Sequence, residues 1–226
     1  SGHKVVAMTR THEGVLQLEA IGATAHIVDV FDAARLNEVV EQAQPEIVIH
    51  QLTAFGAKDE DPLAATLRIR TEGTRNLIAA ARQVKARRFI AQSISFICTP
   101  LAQGLTDEDT PLYYEAPASI SGLAKAVAEL EQQALRCGDL ESLVLRYGWF
   151  YGPGTNFDSS DVIPRAIRKG RMSLVGGGEG TYSFIHVKDA AAATMNALTR
   201  GEPGIYNIVD DCPVKLKQWL PRAATS

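Results

Sequence analysis

Ser121 and Lys125 stand four residues apart in A-S-I-S-G-L-A-K (118–125), a spacing that puts two side chains on one face of a helix, one turn apart. A serine beside a lysine of lowered pKa is a nucleophile arrangement for acyl transfer, which points to an esterase or lactonase working without a cofactor. Ser93 and Ser95, in F-I-A-Q-S-I-S-F-I (89–97), and His186, in S-F-I-H-V (183–187), are further side chains able to take part. Against the hydrolase design, no G-x-S-x-G elbow occurs in the chain. Ser-x-x-x-Lys also recurs in helices by chance, and a lysine with Glu129 four residues on reads as a solvated helix face. His3, His12, His26 and His50 are scattered without metal spacing, and Cys98, Cys137 and Cys212 are too far apart for a disulfide framework or a metal site. No metal is expected.

The elements that must position these groups alternate. The first ten residues read as the last turn of a helix and then a buried strand over 4–9. A helix over 11–21, a strand over 25–30, a helix over 33–44 and a strand over 46–50 follow. The run T-E-G-T-R-N-L-I-A-A-A (71–81) is a strong helix that leads through Arg87-Arg88 into a strand over 89–97. An acidic, proline-bearing loop (106–117) precedes a helix over 119–136. The strand 143–146 then enters Y-G-W-F-Y-G-P-G-T (147–155), whose glycines allow close approach of a ligand or another strand. A helix over 190–198 and the run G-I-Y-N-I-V (204–209) close the pattern, and residues 219–221 read as the start of a helix that continues in longer relatives. Strands alternating with helices imply an α/β fold with a parallel sheet. The small polar residues late in 89–97 then lie where open parallel sheets bind ligands.

Composition narrows the partners. The 226 residues carry 23 basic and 26 acidic side chains, a formal net charge of −3, with no basic stripe. Nucleic acid and anionic membrane surfaces are therefore unexpected partners. No apolar run reaches the ~18 residues of a membrane span, and residues 1–20 lack the apolar core of a secretory signal. Three widely spaced cysteines suit a reducing cytoplasm. The length allows one domain, or one with a small lobe.

Five segments in register resemble a known family: E-G-T-R-N-L (72–77), R-F-I-A-Q-S (88–93), L-R-Y-G-W-F-Y-G-P-G (145–154), S-F-I-H-V-K-D-A-A (183–191) and G-I-Y-N-I-V-D-D (204–211). In order and spacing they resemble the extended or atypical short-chain dehydrogenases/reductases of the NAD-dependent epimerase/dehydratase family, and they cover most of residues 3–220. The resemblance implies a Rossmann-like parallel sheet between helices, with residues 1–150 as an incomplete dinucleotide-binding domain. Residues 151–226 would form a small C-terminal substrate lobe. It also implies NAD or NADP as cofactor and a small-molecule or sugar-like substrate; the cytoplasmic location rests on the cysteines, and a homo-oligomer is one way to share an unpaired sheet edge.

The family's glycine-rich phosphate loop has no counterpart here, because its place falls before Ser1. What carries over is the adenosine side. Arg10 matches the residue that meets the ribose or a 2′-phosphate, Asp29 the adenine-contacting acid, and Gln51 to Ala54, with Thr53, the loop beneath the ribose. Tyr147 and Trp149 are assigned to the cofactor side as well. The plainer reading makes Arg10 a solvated strand end and Asp29 the cap of the following helix. In the catalytic set Lys125 matches the family lysine, but Ser121 stands where the tyrosine acid belongs. The strand hydroxyl position aligns with Ile94, between Ser93 and Ser95. Tyr113 and Tyr114 precede the helix as replacements for the tyrosine. These substitutions imply an eroded active site, with a serine hydrolase or a non-catalytic binding module as alternatives to an oxidoreductase.

In the usual strand order the family's first strand is central. Without it, the strands 4–9 and 46–50 would face each other across a gap of about two strand spacings, ~10 Å. The gap would be filled by a segment outside this sequence, shared with a partner chain, or closed by direct pairing of Val6 with Val48.

Overall fold

Helix ends follow local capping chemistry. The computed structural model describes residues 2–54, 61–102, 104–158, 162–172 and 175–225. Strand β1 (Val6–Thr9) leads into helix α1 (His12–Ala20). The Thr11 Oγ1 accepts the Gly14 amide at 3.0 Å and so satisfies one of the free donors of the first turn. Strand β2 (Thr24–Ile27) lies parallel to β1, with Val6 opposite Thr24 and Thr9 opposite Ile27. Asp32 caps α2 (Ala33–Ala43), its Oδ1 accepting from the Arg35 amide at 3.0 Å. This helix buries Leu36, Val39 and Val40 and stops at Gln44 in the left-handed region, φ 43°.

Strand β3 (Ile47–His50) follows, then α3 (Pro62–Arg68), capped by Asp61. It runs through a π-helical turn, Ile69–Gly73, into α4 (Thr74–Gln83). Strand β4 (Arg88–Ile94) pairs parallel with β3, Ile47 opposite Arg88 and His50 opposite Ala91. Helix α5 (Ala118–Leu135) and strand β5 (Glu141–Tyr147) come next. The Glu141 amide donates to the Arg87 carbonyl at 2.9 Å, and its carboxylate bridges Arg87 and Arg88 at 2.7 and 2.8 Å.

The remaining elements are β6 (Trp149–Tyr151), α6 (Val162–Arg168), β7 (Thr181–Tyr182), β8 (Phe184–His186), α7 (Val187–Ala197), β9 (Gly204–Ile208), β10 (Val214–Lys215) and α8 (Leu216–Thr225). The four-stranded sheet has the order β3-β4-β5-β9, and its β3–β4 and β5–β9 pairs are parallel. β6 pairs with β8 in parallel and β7 with β10 in antiparallel fashion. By contact the chain divides into unit 1, Ser1–Ala91 with Ala126–Ser142, and unit 2, Gln92–Lys125 with Leu143–Ser226. Within unit 2 a small core of Ile167, Leu216, Trp219 and Leu220 gathers Phe157, Tyr182 and Phe184, whose ring centroids lie 5.5–5.7 Å from Trp219.

Several elements differ from the sequence reading, each for a local reason. Residues 2–5 are not helical, and β1 is half-exposed along its length rather than buried. Its ladder partner among the described residues is β2, and α1 buries none of its residues. The strand expected over 89–97 ends at Ile94, and Ser95–Ile97 form a 3-10 turn. The helix expected over 71–81 extends from Pro62 to Gln83 across the π turn, because Asp61 caps it ten residues earlier. Trp219, Leu220 and Pro221 lie inside α8 instead of starting a helix. β1 and β3 belong to different sheets and share no ladder among the described residues, so direct pairing of Val6 with Val48 is not what this fold adopts. Residues 159–161 and 173–174 of the expected C-terminal lobe lie outside the described residues.

Candidate functional site

The carboxyl ends of β1, β2 and β3 open into one cleft of unit 1, about 250 Å³ in volume. Thr9, Arg10 and Thr11 line it from the end of β1, Asp29 and Phe31 from the segment after β2, and Leu52 and Thr53 from the loop after β3. Three separately predicted residues, Arg10, Asp29 and Thr53, therefore meet in one place. Gln51 is exposed and does not line the cleft.

The Asp29 Oδ1 accepts the Phe31 amide at 2.9 Å in a local turn, while the cap of α2 is Asp32. The alternative role of Asp29 as a helix cap thus falls to Asp32, three residues further on. The Arg68 guanidinium carbon sits 3.8 Å above the Phe31 ring, a cation–π contact that steadies an aromatic cleft wall. Arg68 is held in turn by a two-bond pair with Glu72, 2.7 and 2.9 Å. An exposed cation, a strand-end carboxylate and an aromatic wall form a donor set that fits the adenosine half of a dinucleotide. Sequence reasoning missed Phe31 and Arg68, since neither a lone phenylalanine nor a helix arginine carries a motif.

Beneath the cleft lies a buried polar cluster that sequence reasoning also missed. His50 is 1% exposed, and burial, aided by the nearby Arg70 charge, pushes its imidazole pKa down to about 4. Arg70, on the π turn, is 4% exposed; desolvation lowers its pKa to about 10 against the opposing charge of Glu131. π turns are rare and recur at functional sites.

The predicted catalytic side chains belong to unit 2. Ser93 is fully buried on β4, whereas Ser95 is half-buried on the 3-10 turn. Ser121 is half-buried and Lys125 exposed on α5, one turn apart, and no ion pair reaches Lys125 among the described residues. The loop before α5 is tied to the end of β4. Thr99 donates its amide to the Pro111 carbonyl at 2.8 Å, and Tyr113 donates its amide to Ile97 at 2.9 Å. Buried Arg146 secures the same loop by a 3.2 Å bond to the Glu108 carbonyl, and a Glu108 carboxylate oxygen accepts the Asn207 amide at 2.7 Å. Half-buried Tyr113 is thereby held next to the antiparallel bridge between Cys98 and Leu112, while Tyr114 is exposed.

Tyr147 is buried, its hydroxyl 2.6 Å from the Thr194 Oγ1. Trp149 stacks on Phe96 with centroids 4.0 Å apart. His186 caps α7, its Nδ1 accepting the Lys188 amide at 3.2 Å. No metal-binding cluster of His, Cys, Asp or Glu occurs among the described residues, and no described helix is long and apolar enough to cross a membrane.

Three comparisons bear on the fold and the family of the chain. A model of the NAD dependent epimerase/dehydratase family matches residues 1–209. A 3-diazoavenalumate denitrifying reductase from a Streptomyces species is 39% identical over 227 residues, 99% of this chain and 73% of the relative. A 2-alkyl-3-oxoalkanoate reductase from Stenotrophomonas maltophilia is 28% identical over 212 residues, 90% of this chain and 60% of its own length. Among solved structures, dTDP-glucose 4,6-dehydratases from Streptomyces venezuelae and Bacillus anthracis, both with NAD, share the fold. Their TM-scores are 0.78 and 0.76, at 16% and 17% identity, and each match covers 72% of the neighbour and 100% or 99% of this chain. The family model covers the segment from β1 through β9, and the chain belongs to the NAD-dependent epimerase/dehydratase family.

Proposed function

We propose that this chain is the catalytic part of an NAD(P)-dependent reductase acting on a small organic acid. The observation that carries the reading is the convergence of Arg10, Asp29 and Thr53 on one cleft at the carboxyl ends of β1, β2 and β3. Arg10 would meet the adenosine ribose or its 2′-phosphate, Asp29 the adenine or ribose donors, and Thr53 the ribose. The dinucleotide, when bound, supplies a hydride.

The proton side of the reaction falls to unit 2. Ser95 and Ser121 offer hydroxyls to orient a substrate oxygen, and Lys125 supplies a cation able to attract a substrate carboxylate. Tyr113, anchored to Ile97, is the phenol available to donate a proton in place of the residue at position 121. Fully buried Ser93 supports the strand end. The organic-acid class follows the relatives, since both are reductases whose named compounds are carboxylates.

Calorimetric titration with NADP and NAD, run beside a screen of ester substrates, tests the reading. Micromolar dinucleotide binding is the expected result. Absence of dinucleotide binding together with ester turnover that disappears in Ser121→Ala would replace it with the serine hydrolase. Neither binding nor turnover would leave a non-catalytic module.

A further inference from the structure

The backbone that floors the cleft is held by two buried side chains. Leu52 donates its amide to the His50 Nδ1 at 3.3 Å, and Ala54 donates its amide to the Thr66 Oγ1 at 3.2 Å. Thr53, between them, is exposed and lines the cleft. His50 and Thr66 are 1% and 0% exposed, so neither can touch a ligand itself.

The tautomer of His50 follows from hydrogen-bond accounting. The Thr74 hydroxyl spends its single proton on the Arg70 carbonyl, 2.8 Å away, with the Ile69 carbonyl at 3.4 Å. It therefore accepts at the 3.0 Å contact with the His50 Nε2, which must carry the hydrogen. Nδ1 is left as an acceptor for the Leu52 amide, and a neutral ring is the form that satisfies both bonds.

We propose that His50, as its Nε2–H tautomer and together with Thr66, is a positioning residue for the dinucleotide cleft, fixing the 52–54 backbone so that Thr53 faces the ligand beside Arg10 and Asp29. The proposal rests on the reading of the cleft as the adenosine site. Protonation would put a hydrogen on Nδ1 against the Leu52 amide and release the loop. The charged groups around the ring oppose that step unequally. Arg70, from the π turn, disfavours a second cation, and Glu131, from α5, acts on Arg70. The Phe89 ring of β4, 6.4 Å away and edge-on, is uncharged.

Two substitutions separate positioning from bulk stability. His50→Asn places an acceptor near the Nδ1 position and loses the Thr74 bond; His50→Gln reaches toward Thr74 and loses the acceptor for Leu52. Amide hydrogen exchange at Leu52 and NADP affinity are measured on the whole chain, with imidazole nitrogen shifts to read the tautomer. The Asn variant is expected to keep Leu52 protection and NADP affinity within about threefold of the parent, whereas the Gln variant loses about tenfold or more in both. Thr66→Val should release the Ala54 amide, and Thr66→Ser should restore it.

An Nδ1–H tautomer, or variants whose losses track only their melting temperatures, would overturn the assignment. If the parent binds no NADP, Leu52 exchange still decides the clamp, and the cofactor reading fails separately.

Discussion

Arg10 is the residue whose chemistry most sharply divides the two cofactors. A guanidinium can form two parallel bonds to a 2′-phosphate, a geometry that a ribose hydroxyl cannot repay. Arg10→Ala should weaken NADP binding by about 1–3 kcal/mol and leave NAD nearly unchanged; equal affinities for both cofactors in the parent would refute this. Lys125 is the corresponding test in unit 2. Exposed on α5 without an ion pair among the described residues, it contributes little to packing. Lys125→Ala should thus cut turnover by about 10²-fold at unchanged melting temperature, and an undiminished rate would reduce it to a surface lysine.

His50 ties the same scale to pH. Its folded pKa, about 4, lies below the ordinary 6.5, so the unfolded chain binds the extra proton more readily. The stabilisation from a neutral His50 is complete above pH 6.5 and is lost as pH falls toward 4. Chemical denaturation at stepped pH should show stability falling across that window in the parent. The fall should be smaller in His50→Asn; identical profiles would mean that another group governs the acid limb.

At the scale of elements, glycines decide how closely β6 approaches β8. A Cβ on Gly148 would stand 2.5 Å from the Ser183 carbonyl oxygen, the acceptor of the Trp149 amide at 2.9 Å. Backbone cannot step aside as a flexible side chain can. Gly148→Ala should therefore cost about 1–3 kcal/mol, read as a lower denaturation midpoint with an unchanged slope. At Gly152, φ is +102° and a Cβ would meet the His186 ring at 2.6 Å, so the same Tyr–Gly–Trp–Phe–Tyr–Gly run is shaped by a neighbouring strand and the ring that caps α7. The π turn acts at this scale too: it carries Arg70 and leads directly into Thr74 of α4, the two residues that set the charge and tautomer of His50.

Over the whole molecule, protection should be uneven. β4 and β5 are buried along almost all of their length, whereas β1 is half-exposed and β2 partly exposed, in a two-stranded sheet of their own. Amide exchange should be slowest in β4 and β5 and fastest in β1 and β2, because local opening follows buried apolar contact. Equal protection of β1 and β4 would show that β1 gains a further partner in solution, as a shared edge in an oligomer would provide.

The sequence by itself determined the family, the alternation of strands and helices, and the strand-end positions of Arg10, Asp29 and Thr53, because short motifs are local and survive in linear order. Tertiary structure alone decided what lies around them. Strand 89–97 broke at Ser95, as the loop 97–99 pairs with residues 111–113, a contact no local pattern encodes. His50 looked like one of several scattered histidines until Thr74, 24 residues away, fixed its tautomer and the Leu52 amide took its free nitrogen. Arg146 read as a strand end, but burial and the Glu108 carbonyl make it the anchor of the Tyr113 loop. Burial and hydrogen-bond partnership depend on residues distant in the chain, so the side chains that position a site are the last to be read from its order.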